Sequence, residues 1–430
     1  MRTSRTYSLA NLKTLKSQLL QWAQSYDDIV WLDSNNHDDK YVSYEAILAV
    51  DALTAIRCDF SDAFARLKEF QESTNDWIFG YLTYDLKNDI EDLTSSNFDG
   101  LKFSDLYFFQ PKKLILISKE HIEFRYMNAV SDEVEMDFNA IQTIETLKFE
   151  TQNDPIKIKL RTSKDSYFEK VGRVLKHIHR GDVYETNFCM ECYAENVTLQ
   201  PCDIFENLNT ISKPPFATFL KMEDKYIMSA SPERFIKKMG SKVISQPIKG
   251  TAPRSKDGEE DKRLKIELQN DPKERSENIM IVDLVRNDLS QTAEKGSVKV
   301  EELCGVYSFL QVHQMISTIS SHAKPEFSPV DIIKSMFPMG SMTGAPKISA
   351  MQIIEDLEDA KRGVYSGSVG YIDPDGNFDF NVIIRSILYN QSLKYVSYSV
   401  GSAITAKSDP LKEYEECLTK AKAMRTVLES

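Results

Sequence analysis

Apolar positions along the chain follow two periods, and the way those periods alternate sets the expected fold. Leu9, Leu12, Leu15, Leu19 and Trp22 recur at helical spacing and predict a helix over residues 8–25. Short strands are expected at 29–33 and 40–44 across the polar turn 34–39, then a helix capped by Ser61 and running to Phe70. Aromatic and β-branched runs at 77–84, 106–109, 113–117 and 121–126 read as strands. Residues 127–160 read as a connector with a turn at Asn153-Asp154-Pro155. Thr162-Ser163 signals a helix to His179, with Phe168, Val171, Leu175 and Ile178 on one stripe and Gly181-Asp182 at its end. A strand at 183–193, a helix at 202–209 and strands at 216–222, 226–230, 234–239 and 242–248 follow, the last delivering Lys249. Further helices are expected at 278–289, 329–337 and 347–357, further strands at 365–372, 378–388 and 394–404, and a final helix from Pro410. Strands arrive in consecutive runs with helices grouped between them. That order predicts an α+β fold with antiparallel sheets rather than alternating βαβ units.

Composition narrows the class without naming a chemistry. The 430 residues are 41% hydrophobic and 27% charged, an ordinary globular balance that allows a large core. A net charge of -12 and the lack of a basic arm argue against a generic nucleic-acid binder. An anionic ligand would then need a few placed cations or a metal. Cys189 and Cys192 have a metal-like spacing, but no second such pair or paired histidines accompany them, so buried thiols are expected. The N-terminus shows no apolar signal segment, and no run approaches the ~18 apolar residues of a membrane span. A cytoplasmic location with reduced thiols is expected.

Several stretches carry candidate chemistry. Gln246 to Arg254, QPIKGTAPR, places Lys249 between a proline-fixed approach and a Gly250-Thr251 exit where backbone can come close to a ligand. That lysine can be a nucleophile, a phosphate contact or a solvated side chain at a strand end. Glu413, Glu416 and Lys420 point the same way from the last helix, which Asp409 caps. Glu274 and Glu277 repeat the spacing of three near the start of another helix. Two such pairs can hold a hard divalent cation through oxygen; they can equally form a solvated face or complement a helix dipole. Glu233, in Ser231-Pro232-Glu233-Arg234-Phe235, is a general acid if burial raises its pKa, or else a partner for Arg234. The turn at Gly344 opens a helix and can meet an anion with backbone N–H groups, although it lacks the phosphate-loop pattern.

Taken together, SPERF, QPIKGT, ERSENIMIVDLVRND, GSMTGAPK, YSGSVGY, NVIIRS and the DPLKEYEEC helix occur in the order found in the chorismate-utilising enzymes. The chain resembles that family densely from about residue 160 to 428, and more loosely before, through WLDSNN and WIFGYLTYD. Within it the pattern is most similar to the branch that makes aminodeoxychorismate for para-aminobenzoate and folate. The resemblance implies two large antiparallel sheets packed as a sandwich with helices outside. It divides the chain into an N-terminal half, 1–150, and a chorismate-binding region, 151–430, within one integrated unit. It implies Mg²⁺ on the ring carboxylate of chorismate, with Glu277 and Glu416 as ligands supported by Glu274 and Glu413. Tyr365 and Arg385 would hold the enolpyruvyl carboxylate, and Thr343, Gly344, Gly401 and Lys420 would be further substrate contacts.

The same resemblance implies a covalent route. Lys249 attacks C2, Glu233 protonates the departing C4 hydroxyl, and ammonia then attacks C4. No glutaminase motif is present, so ammonia is expected from a separate glutamine amidotransferase subunit. The alternatives are an anthranilate synthase component I, whose family pattern has alanine at the Lys249 position, and a non-catalytic sensor of chorismate or an aromatic amino acid. Two positions depart from the family pattern. Glu185 stands where the amine-adding relatives have glutamine and the water-adding ones lysine. Gln314 stands where most have histidine, with His313 one residue earlier.

Overall fold

The computed structural model describes residues 1–8, 12–37, 40–145 and 156–429. Side-chain alternation along its strands explains the layering. Strand Asp28–Asp33 sends Ile29 and Trp31 into one hydrophobic cluster and Val30 into another. Ala46–Cys58 divides Leu48 and Val50 from Ile47 and Ala49 in the same way. The first cluster lies beneath helices, among them Leu12–Ala23, Lys164–Arg180, Pro201–Ser212 and Pro410–Glu429. The second joins Val30, Leu220 and Ile227 to Phe79, Phe235, Val369 and Phe380, so two layers of strands face each other across it. Every ladder between named strands is antiparallel, and the ladders link the strands into one continuous system. The fold is α+β with antiparallel sheet, as the grouping of strands predicts.

Several local expectations change. Among the described residues the first helix covers Leu12–Ala23, strand Arg2–Ser8 is paired with His121–Met127, and the part of the expected helix at 9–11 lies outside the described residues. Residues 40–44 are not a strand; the chain runs straight from them into Ala46–Cys58. Asp62, at φ 53°, precedes helix Ala63–Thr74, and Ser61 does not cap it. The pieces at 106–109 and 113–117 are one strand, Leu106–Ile117. Pro111 is tolerated inside it because it lies opposite Ala52, where the register shifts. The connector holds a helix, Val134–Thr143, while the expected turn at Asn153-Asp154-Pro155 falls outside the described residues. Helix Gly258–Asn270 and the strand pair Lys299–Ser308 and Val312–His322 were not legible in the pattern.

Two breaks in predicted strands bear on the site. The run 242–248 divides at Pro247 into Lys242–Gln246 and Ile248–Pro253, so Lys249 lies inside a strand and not at the end of one. The run 378–388 divides into Phe378–Asn381 and Ser386–Asn390, with Arg385 at φ 52° in the gap. The caps hold where side-chain chemistry is local: Ser163 accepts from the Ser166 N–H, and Asp409 from those of Leu411 and Lys412.

Candidate active site

Lys249 is buried, and its Nζ donates to Glu185 Oε1 at 2.6 Å. Glu185 is the first residue of strand Glu185–Glu195 and is itself buried; its Oε2 makes no hydrogen bond. Burial pushes the Lys249 pKa down, but the charges of Glu185 and Glu277, with the Glu185 hydrogen bond, outweigh it and hold the lysine above its ordinary value. Gly250, at φ 93°, lets the strand pass close to the neighbouring helix: a Cβ there would lie 3.0 Å from Glu274 Oε2. Asn278 fastens the same strand, its Nδ2 lying 3.5 Å from the Lys249 carbonyl and 3.4 Å from that of Met315.

Glu233 approaches from the other side. It is 3% exposed, and Ser341 Oγ donates to its Oε1 at 2.6 Å. Burial pushes its carboxyl up to about 7 against the opposing pull of Ser341, Lys249 and Arg385. The alternative role for Glu233, pairing with Arg234, is not adopted: Arg234 turns to Asp379 at 3.0 Å. The Arg385 guanidinium makes no hydrogen bond or ion pair among the described residues, and burial lowers its pKa to about 10. A half-buried cation with no hydrogen bond or ion pair among the described residues, beside an acid that titrates near neutrality, suits an anionic ligand.

The four glutamates singled out by spacing come from two helices, Pro272–Ser290 and Pro410–Glu429. Asp271 fixes the first helix start by accepting from the N–H groups of Lys273 and Glu274 at 2.8 and 3.0 Å. Glu277 is 6% exposed, its Oε1 makes no hydrogen bond, and burial pushes its pKa up to about 8. Burial also raises Glu274. Glu416 pairs with Lys420 at 2.7 Å, and Lys420 also donates to the Gly401 carbonyl at 2.9 Å. Lys273, which the sequence reading passed over, stands between the pairs, 3.2 Å from Glu413 and 3.7 Å from Glu277. An all-carboxylate donor set with a buried oxygen lacking a hydrogen bond fits a hard cation such as Mg²⁺. As placed, no three Asp, Glu, His or Cys side chains among the described residues gather closely enough to ligate one.

The remaining predicted positions line strand Glu185–Glu195. A Cβ on Gly401 would meet Cys189 Sγ at 2.5 Å, and the Tyr365 hydroxyl lies 3.6 Å from the same sulfur. Tyr365 therefore faces Cys189 and makes no hydrogen bond to Arg385. Cys189 and Cys192 are free buried thiols. Gly344 has no room for a side chain, since a Cβ would lie 2.2 Å from the Glu185 carbonyl. The Thr343 hydroxyl turns back to the Met339 and Gly340 carbonyls at 3.3 Å. Arg362, also missed, ties this region together by donating to Glu358 Oε1, the Met342 carbonyl and the Asn187 carbonyl at 2.6, 2.6 and 2.8 Å. Gln314 is buried with its Oε1 unpaired, opposite Thr251. His313 is engaged elsewhere, bonded to Ser308 at 2.9 Å and Asp261 at 3.1 Å.

Two cavities open in the fold, and one of them reaches this site. A smaller one is lined by Glu233, Ser245, Pro247 and Ser341; a larger one, lined by Ser34, Tyr44, Phe216 and Tyr371, contains none of the Lys249 cluster.

Comparison with known proteins places this geometry in context. A family model described as chorismate binding enzyme matches residues 27–426. The chain is 35% identical over 356 residues to an anthranilate synthase component I-like protein of Synechocystis, covering 82% of this chain and 72% of that one. It is 38% identical over 268 residues to aminodeoxychorismate synthase component 1 of Klebsiella aerogenes, covering 62% of this chain and 59% of that one. Among solved structures, anthranilate synthase component I from Streptococcus pneumoniae superposes with a TM-score of 0.79 at 26% identity, covering 91% of this chain and 94% of that one.

Proposed function

Because the chain belongs to the chorismate binding enzymes, we propose that it aminates chorismate at C4 to 4-amino-4-deoxychorismate, as component I of an aminodeoxychorismate synthase. The observation that carries this reading is the buried Lys249 amine, with Glu185 at 2.6 Å and the charges of Glu277 and Glu233 acting on it. The lone pair of neutral Lys249 forms a bond to C2, the two ring double bonds each shift by one position, and the C4–O bond breaks. Glu233 gives its proton to the departing hydroxyl, which leaves as water. Ammonia then bonds to C4, the double bonds shift back, Lys249 leaves C2, and the new ammonium returns a proton to Glu233. Arg385 offers a guanidinium fork to the enolpyruvyl carboxylate, with Tyr365 beside that part of the pocket.

Mg²⁺ would be held by Glu277 and Glu416, supported by Glu274 and Glu413, and when bound it would supply positive charge to the ring carboxylate. Thr343, Gly344, Gly401 and Lys420 shape the rest of the pocket. Ammonia would come from a glutamine amidotransferase partner, and the product would feed para-aminobenzoate and folate synthesis in the cytoplasm. No helix among the described residues is long and apolar enough to cross a membrane.

A second reading, anthranilate synthase, draws on the relatives of that name, which are 33–35% identical over 82% of the chain. Incubation with chorismate, Mg²⁺ and an ammonium salt, with products identified by mass, separates the two. Aminodeoxychorismate is expected; anthranilate with pyruvate would overturn the proposal.

A further inference from the structure

Lys273 occupies a place that neither its neighbours in sequence nor the proposed chemistry requires. It is the second residue of its helix, and its Nζ lies 3.2 Å from Glu413 on the last helix and 3.7 Å from Glu277 one turn further along its own. Its side chain is about one-third exposed, whereas those of Glu277 and Glu413 are nearly closed off. Of the four carboxylates carried on the two helix faces, Glu416 is paired with Lys420, and the Lys273 ammonium reaches Glu413 and Glu277. Glu277 Oε1, buried and making no hydrogen bond, shows that the compensation is incomplete.

We propose that Lys273 is a built-in counter-ion for the cradle formed by Glu274, Glu277, Glu413 and Glu416, and that a divalent cation must displace it to bind there. Before a cation arrives, the lysine offsets carboxylate repulsion and keeps the two helices in register. Once a cation enters, two positive charges compete for the same oxygens, and the flexible lysine, with solvent at its tip, moves out. The cost of that displacement weakens metal binding, so the cradle fills only at higher cation concentration than its four carboxylates would otherwise need. The inference rests on the Mg²⁺ part of the proposed function, but not on which nucleophile adds to chorismate.

The test uses the full chain without substrate and reads metal binding and melting, not turnover. Lys273→Met keeps the length of the side chain and removes its charge; Lys273→Arg keeps the charge. In chelator, Lys273→Met is expected to melt below the wild type. Mg²⁺ titrated calorimetrically should bind it more tightly, on the order of tenfold, and raise its melting temperature by more than it raises that of the wild type. Lys273→Arg should behave as the wild type. Equal or weaker Mg²⁺ affinity in Lys273→Met would overturn this inference alone. Absence of Mg²⁺ binding to both wild type and variant would overturn the metal assignment and this inference with it.

Discussion

Asp379 and Glu277 are both carboxylates taken largely out of water beside lysines, yet their surroundings treat them in opposite ways. Asp379 accepts from Arg234 Nε at 3.0 Å and from Lys237 Nζ at 2.9 Å, and Lys237 also reaches Ser43 at 2.7 Å. Burial alone would raise the Asp379 pKa, but those two cations hold it below the ordinary carboxylate range. At Glu277 burial wins: one oxygen lacks a hydrogen bond and the pKa climbs to about 8. Five buried side-chain polar atoms lack a hydrogen bond among the described residues, and three of them belong to Glu185, Glu277 and Gln314, around the strand of Lys249. The first cluster is closed and ties strand Arg234–Met239 to Phe378–Asn381. The second leaves donors and acceptors unused, which is costly in a folded protein unless a ligand completes them.

Substitutions on each side can break or sharpen this contrast. Lys249→Ala should have the largest effect, lowering turnover with chorismate and ammonia by several orders of magnitude per folded molecule, with a lower melting temperature because buried Glu185 loses its partner. Unchanged turnover would remove the covalent step. Glu233→Gln should lower kcat by about 10²–10⁴, and its pH profile should lose a limb. In the wild type, Glu233 titrates near 7 and Lys249 above its ordinary value, so between those points the protein holds a carboxylate and an ammonium. The reactive form, acid plus neutral amine, has the same number of protons. Activity should therefore be flat between the two pKa values and fall on either side. The break near pH 7 belongs to Glu233 and should vanish in the variant, whose activity should go on rising with pH until Lys249 loses its proton and then stay level, without an alkaline fall.

Asp379→Asn tests the closed cluster. It should cost about 3 kcal/mol of stability, by leaving Arg234 and Lys237 underpaired, with kcat per folded molecule little changed. A large fall in kcat at unchanged stability would erase the distinction between the clusters. Glu185→Gln should have the smallest effect and the opposite sign. It removes the strongest charge holding Lys249 protonated while burial remains, so the lysine pKa falls and the fraction of neutral amine rises. Plateau activity should increase several-fold and the alkaline limb should move to lower pH. A profile identical to wild type would show that Glu185 does not set the charge of Lys249.

Long elements and their caps were legible in the sequence because their causes are local. The last helix begins where Asp409 and Pro410 place it, and Gly181, at φ 90°, ends the helix that Ser163 starts. The missed pieces have non-local causes. Arg2–Ser8 becomes a strand because it finds His121–Met127, and Val312–His322 because it lies between Lys299–Ser308 on one side and Lys242–Gln246 and Ile248–Pro253 on the other. At the site, helical spacing revealed the two glutamate pairs, and motif order singled out Lys249, Glu233 and Arg385. Lys273 lay one residue before such a motif and Asn278 inside one, and neither carried a signal of its own.

By itself, then, the sequence determined which residue types were present, which of them shared a helix face, and that strands and helices would segregate into an α+β fold. Tertiary structure decided which charges were paired. Whether Arg234 serves Glu233 or Asp379, whether Glu185 meets Lys249, and whether Gln314 or His313 is left without a partner all depend on ladder register and on gaps at Pro247 and Arg385. A shift of one residue in a strand turns a side chain to the opposite face. Electrostatic energy depends on separation and burial, which residue order along the chain does not specify.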